Sequence, residues 1–149
     1  MPVQPADFLE SAKLELKSEK EIHFRNAISR AYYAAYHSCL PLDDILPDHG
    51  EARTNVGVHE RFISKLTKFP TSCDELARNA GMKIKSLGYV LQQCKTARHK
   101  ADYDLRAEIG SSEAEGQIST AEKIFDKLSE LKSILSSTAS VDSNMISKL

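Results

Sequence analysis

Residues Arg25 to Leu40 constrain the fold more than any other stretch: Arg-Asn-Ala-Ile-Ser-Arg-Ala-Tyr-Tyr-Ala-Ala-Tyr-His-Ser-Cys-Leu. Ala27, Ala31, Ala34 and Ala35 are small and strongly helix-forming. Ile28, Tyr32, Tyr33, Tyr36 and Leu40 sit between them, so apolar or aromatic groups occupy almost every face. A helix apolar all round belongs at the centre of a bundle. Yet the stretch also carries Arg25, Asn26, Ser29, Arg30 and His37. Burying such groups costs free energy unless each finds a partner. The helix is therefore either the polar-networked core of the fold or one wall of a site.

Arg30 and His37 are seven residues apart. That is almost two turns, so both side chains leave one face, with Cα atoms roughly 10 Å apart. Together they can offer a fixed cation and a titratable imidazole to one partner. In the alternative reading Arg30 pairs with a carboxylate and His37 bonds a backbone carbonyl.

The remaining apolar pattern is helical throughout. Phe8, Leu9, Ala12, Leu14 and Leu16 predict a helix over 5–18, with Pro5 at an early position. The Arg25 helix spans about 19–40. Residues 42–57 are rich in Asp, Pro and Gly and read as loop. Phe62, Ile63, Leu66 and Phe69 predict a short helix over 58–69. Ser72 with Glu75 is a capping-box pattern opening a long helix over 73–99, with Gly81 and Gly88 inside it. Those glycines permit close packing or a bend. Ser112 with Glu115 opens a fifth helix over 112–136, whose apolar residues include Ile118, Ile124, Leu128 and Leu135. Without strand-like alternation the chain is all-α: one helical domain over 1–136, then a Ser-rich flexible tail over 137–149.

The formal net charge is −1, so any polyanion site must be a local patch. The best candidate is the long helix. It carries Arg78, Lys83, Lys85, Lys95, Arg98 and Lys100, with no acid between Glu75 and Asp102. Cys39, Cys73 and Cys94 are widely spaced and odd in number, which favours reduced thiols and a cytoplasmic protein. Asp7, Glu10, Lys13, Glu15 and Lys17 argue against a signal peptide, and no apolar run reaches membrane-spanning length. No cofactor or metal ligand set is expected.

Two segments carry a family resemblance. Arg25-Asn-Ala-Ile-Ser-Arg-Ala-Tyr-Tyr-Ala-Ala-Tyr-His37 resembles the second helix of HEPN domains, and Arg98-His-Lys-Ala-Asp-Tyr-Asp104 resembles their later polar motif in its R-x-x-A-D-Y form. The resemblance spans roughly residues 5–136. It implies an up-and-down bundle of about five helices, often dimeric, with a site facing a cleft between subunits. It further implies a metal-independent endoribonuclease of toxin or phage-defence type, or a non-catalytic module partnering a nucleotidyltransferase-type antitoxin or another protein. The residues expected to bear catalysis are Arg30, His37, Arg98 and Tyr103. Asn26, Lys95, His99, Lys100 and Asp102 are expected to bind RNA or a nucleotide.

The chemistry suits these types. Histidine can move the protons of the 2′-hydroxyl and the leaving oxygen, and arginine can grip the phosphate. In catalytic members the later motif reads Arg-x(4–6)-His, whereas Tyr103 stands in that place here. A phenol is a poor base at neutral pH. Tyr103 reads either as a core tyrosine or as a phosphate-contacting or modified hydroxyl. Arg98 and Asp102 read equally as a helix salt bridge and as an orienting pair. In the structural reading Arg30 pairs with Asp102.

Overall fold

The protein was described by a computed structural model. The structure describes residues 2–47, 55–70 and 74–139. Its elements are α1 (Pro5–Glu15), α2 (Glu21–Cys39), α3 (Leu42–Ile45), α4 (Val58–Thr67), α5 (Glu75–Tyr103) and α6 (Ser111–Ala139). Among the described residues there is no strand, and the chain is a small all-α bundle. No described helix is long and apolar enough to cross a membrane.

The boundaries follow local chemistry. At α1 the Asp7 carboxylate accepts from the Gln4 N–H at 2.7 Å, closing the first turn around Pro5. The helix stops at Glu15, three residues short of expectation, and Leu14 is exposed. The expected loop at 42–57 contains the single-turn α3, held down by buried Leu42 and Leu46. Residues 48–54 and the Ser72 end of the expected capping box lie outside the described residues, as do residues 140–149 of the expected tail. Residues 137–139 continue α6. At the other end, α5 runs four residues past its expected end at His99, through the whole polar segment to Tyr103. It can do so because Ala101 is the residue there that faces the core, while the polar groups point outward.

The chain divides into two compact units, residues 1–38 with 91–125 and residues 39–90 with 126–149. In the first unit the core is built from the alanines and tyrosines of α2, Leu9 and Ala12 of α1, Leu91 and Cys94 of α5, and Ile118 and Ile124 of α6. α2 and the end of α5 run antiparallel: Arg25 meets Ala101, Asp104 and Ala107, whereas Tyr32 and Tyr33 meet Arg98.

In the second unit Phe62, Ile63, Leu66 and Phe69 meet a core completed by Ile84, Leu87, Leu128 and Leu131. An ion pair between buried Lys65 and half-buried Asp43 supports it. Lys65 donates to the Asp43 carboxylate at 2.9 Å and to the Asp43 carbonyl at 3.0 Å, tying α4 to α3.

Two buried groups make the first unit sensitive to alkali. Burial pushes the Cys94 thiol from its ordinary 9.0 up to about 11. Burial also raises the Tyr32 phenol well above its usual range, against the opposing pull of Arg98. Both shifts are upward, so the folded chain keeps protons that the unfolded chain releases. The Cys94 contribution is complete below pH 9.0 and is lost as pH rises through about 11, and that of Tyr32 is lost at higher pH still. Urea melts across that window are expected to show a falling midpoint, with Cys94 accounting for on the order of 2–3 kcal/mol. A midpoint that stays level from about pH 8 to 11 would contradict this account.

Candidate functional site

Two arginines of the first unit show opposite solutions to burying a guanidinium. Arg25, on α2, is 8% exposed and uses all its directions. Nε and Nη2 donate to the Glu21 carboxylate at 2.9 and 2.8 Å. Nη1 donates to the carbonyls of Ala101 and Asp104 at 2.9 Å each, and Nη2 also donates to the carbonyl of Ala107. These carbonyls belong to the end of α5 and the turn after it, where intrahelical partners run out; the Asp104 carbonyl also accepts from the Ala107 N–H at 3.3 Å. Arg25 is therefore a cap for α5 and fixes the main chain that carries Asp102 and Tyr103. The Asp104 carboxylate completes the turn by accepting from the N–H groups of Arg106 and Ala107.

Arg98, on α5, is 15% exposed but poorly bonded. Among the described residues its one hydrogen bond is a long one, Nη1 to the Asp102 carboxylate at 3.4 Å. Its Nε is buried with no hydrogen-bond partner among the described residues. The guanidinium carbon lies 5.5 Å from the Tyr32 ring centre, 5.8 Å from Tyr33 and 6.0 Å from Tyr103. Cation–π attraction thus stands in for part of the lost hydration. Burial works to lower its pKa, but Tyr33 and Asp102 outweigh burial and raise it. The result is a permanent cation, aimed by three rings, with donors to spare.

Around it, Asp102 also accepts from the Ser29 hydroxyl at 3.4 Å. The expected Arg30–Asp102 pair does not form: Asp102 is taken by Arg98 and Ser29, and Arg30 is exposed. Asn26 is exposed on the same face one turn earlier. His37 is half-buried. Its ring stacks on Phe8 at 5.4 Å and on Tyr33 at 6.1 Å, with Tyr36 edge-on at 5.4 Å. Tyr33 therefore stands between His37 and Arg98, and the two do not hydrogen-bond. The role of Phe8 had no signal in the sequence beyond its apolar character.

Tyr103 is 66% exposed and is no core residue. Its ring lies 4.8 Å from that of His99. His99 and Lys100, with Lys95, Gln92, Thr96 and Asp104, line an open groove of about 410 Å³ along the outer side of α5. The cationic stripe expected on α5 is less one-signed than its sequence. α6 brings Glu113 to Lys100 at 3.0 Å and Glu130 to Lys83 at 3.3 Å, and Asp102 answers Arg98. Of the expected site residues, the structure thus joins Arg98, Asp102, Tyr103 and His99 in one chain of contacts. His37 is linked to them through Tyr33, and Arg30 and Asn26 stand apart on the exposed face of α2.

Among known proteins, no family model matches the chain, no curated protein matches it, and no solved structure matches it. The molecule is defined by its own features: an all-α protein whose first unit holds a ring-flanked, under-bonded guanidinium beside an exposed tyrosine–histidine pair.

Proposed function

We propose that this chain is a HEPN-type helical domain that binds RNA through its phosphates at Arg98, and that it works by binding rather than by cutting. The observation that carries the reading is the contrast between the two arginines. Arg25 spends every donor on the fold, whereas Arg98 keeps most of its donors unused beside solvent-exposed Tyr103. A planar guanidinium with free donors suits a phosphate, and exposed Tyr103 and His99 offer rings for an unpaired base. The likeness of residues 25–37 and 98–104 to the HEPN segments supports RNA as the anion.

Cleavage is the weaker reading. It needs a base and an acid in reach of the same phosphate. Neither His37 nor His99 is hydrogen-bonded to Arg98 or Asp102, and Tyr103 holds the position of the motif histidine. A homodimer and a nucleotidyltransferase-type partner accompany the proposal, as the family resemblance implies.

Fluorescence anisotropy with a short single-stranded RNA in EDTA tests it. Wild type is expected to bind, and Arg98→Ala to bind about 10- to 100-fold more weakly, the worth of one charge-assisted contact. Tyr103→Ala is expected to lose somewhat less, in line with one stacked base. The RNA is expected to be recovered intact. Equal binding by a folded Arg98→Ala variant would overturn the assignment. Cyclic-phosphate ends, lost in His37→Ala or His99→Ala, would establish the ribonuclease instead.

A further inference from the structure

The second unit holds a separate concentration of unspent donors. Lys83 and Ser86 of α5 and Lys127 and Glu130 of α6 line a largely enclosed cavity of about 120 Å³. A water occupies about 30 Å³ in the liquid, so this is room for a handful of waters or one compact ion. The charges around it do not balance. Two ammonium groups face one carboxylate, and that carboxylate, Glu130, is well exposed and among the described residues reaches only Lys83, at 3.3 Å. Lys127 is half-buried, and among the described residues its one hydrogen bond goes to the Ser86 hydroxyl oxygen at 3.3 Å. A hydroxyl satisfies one donor of an ammonium but not its charge. Because Lys127 donates to Ser86 Oγ, the Ser86 proton is left to donate elsewhere.

We infer that this cavity binds a small tetrahedral oxyanion, either free phosphate or the terminal phosphate of a monoester, held by Lys83, Lys127 and the Ser86 hydroxyl. Lysine serves such anions as a point charge with rotatable donors. The cavity shares Lys83 and Glu130 with a wider opening of about 760 Å³, which gives it access to solvent. Asp126 lines that opening, adding a second carboxylate. Asp126 does not line the cavity itself, which keeps its excess of ammonium groups, whereas an extended polyanion such as RNA would have to run past both carboxylates of the opening. The inference does not rest on the RNA reading, which concerns the other unit.

Isothermal titration of the full chain with inorganic phosphate, and separately with AMP, at low ionic strength tests it. Saturable one-to-one binding is expected. Lys127→Met and Lys83→Met are each expected to weaken it about tenfold or more, and Glu130→Gln to strengthen it about threefold by removing the competing carboxylate. The titrations are repeated in an Arg98→Ala background, where phosphate or base held at the RNA-binding face is lost; binding that remains there and falls on adding Lys127→Met belongs to this cavity. Equal affinity for the two ligands would identify the free oxyanion, and AMP about tenfold tighter would identify the monoester. No saturable binding by wild type, or binding unaltered in Lys127→Met with helical content intact, would overturn the inference.

Discussion

Arg25→Met is expected to lower the stability of the protein by about 3–5 kcal/mol, the largest effect of any single substitution considered. The substitution keeps most of the side-chain volume, so the loss is not one of packing. It strands the buried carbonyl of Ala101, removes the guanidinium from the half-buried carbonyl of Ala107, and leaves the exposed Asp104 carbonyl with the Ala107 N–H alone. Leaving one buried acceptor unsatisfied costs about 1–3 kcal/mol. Glu21 adds little to the loss, because its side chain is 44% exposed and water can replace the arginine. Glu21→Gln is therefore expected to cost less than about 1 kcal/mol. Arg25→Lys is expected to fall between, since an ammonium keeps the charge but lacks the fork that spans several acceptors. Urea melts of the three variants check the order. An Arg25→Met protein as stable as Glu21→Gln would show that the α5 end is held by something else.

The second large effect belongs to Gly88. A Cβ built there would lie 2.8 Å from the Leu66 Cβ, 2.8 Å from the Thr67 backbone nitrogen and 2.9 Å from the Thr67 Cγ2. Backbone cannot step aside as a flexible side-chain end can, so α4 and α5 must separate. Gly88→Ala is expected to cost about 2–3 kcal/mol, and Gly88→Val more, by overpacking. The internal control is Gly116→Ala. Gly116 also lies within a helix, but a Cβ there meets nothing within 4 Å. Removing glycine's extra unfolded-state freedom is expected to stabilise the protein by about 0.5–1 kcal/mol. The same chemical change should thus move thermal midpoints in opposite directions at the two positions. A Gly88→Ala midpoint at or above wild type would refute the close approach.

What the sequence could and could not disclose follows from the kind of signal each feature leaves. Helical periodicity is strong over long stretches, so the five long helices were legible, within a few residues at each end. The single turn of α3 is too short to show a period. Leu14 fits an apolar stripe but is exposed, because a stripe drawn from sequence is wider than the face actually buried. Gly81 and Gly88 permit close packing or a bend by sequence; among the described residues a Cβ at Gly81 meets only the Pro70 carbonyl at 3.4 Å, whereas Gly88 is a close contact.

The site was legible as a set of residues but not as a network. Arg98 and Asp102 are four apart, so their pairing could be read directly. The role of Arg25 could not. Its distant partners are main-chain carbonyls, 76 to 82 residues along the chain, which no side-chain pattern marks. The cationic stripe was overread because its neutralising acids Glu113 and Glu130 come from another helix. Tyr103 reads from the sequence either as a core tyrosine or as a phosphate-contacting hydroxyl, and helix phase turns it outward, away from the buried face that Ala101 occupies.

The central claim is that Arg98, unlike Arg25, holds its guanidinium donors in reserve for phosphate. Arginine side-chain NMR reads this directly, by following the guanidinium N–H signals as a short single-stranded RNA is added in EDTA. The account predicts that the Arg98 signals shift and become protected from exchange with water, while those of Arg25, already fully bonded, stay in place. RNA binding that leaves the Arg98 signals unmoved, or a chain that binds no RNA at all, would contradict it.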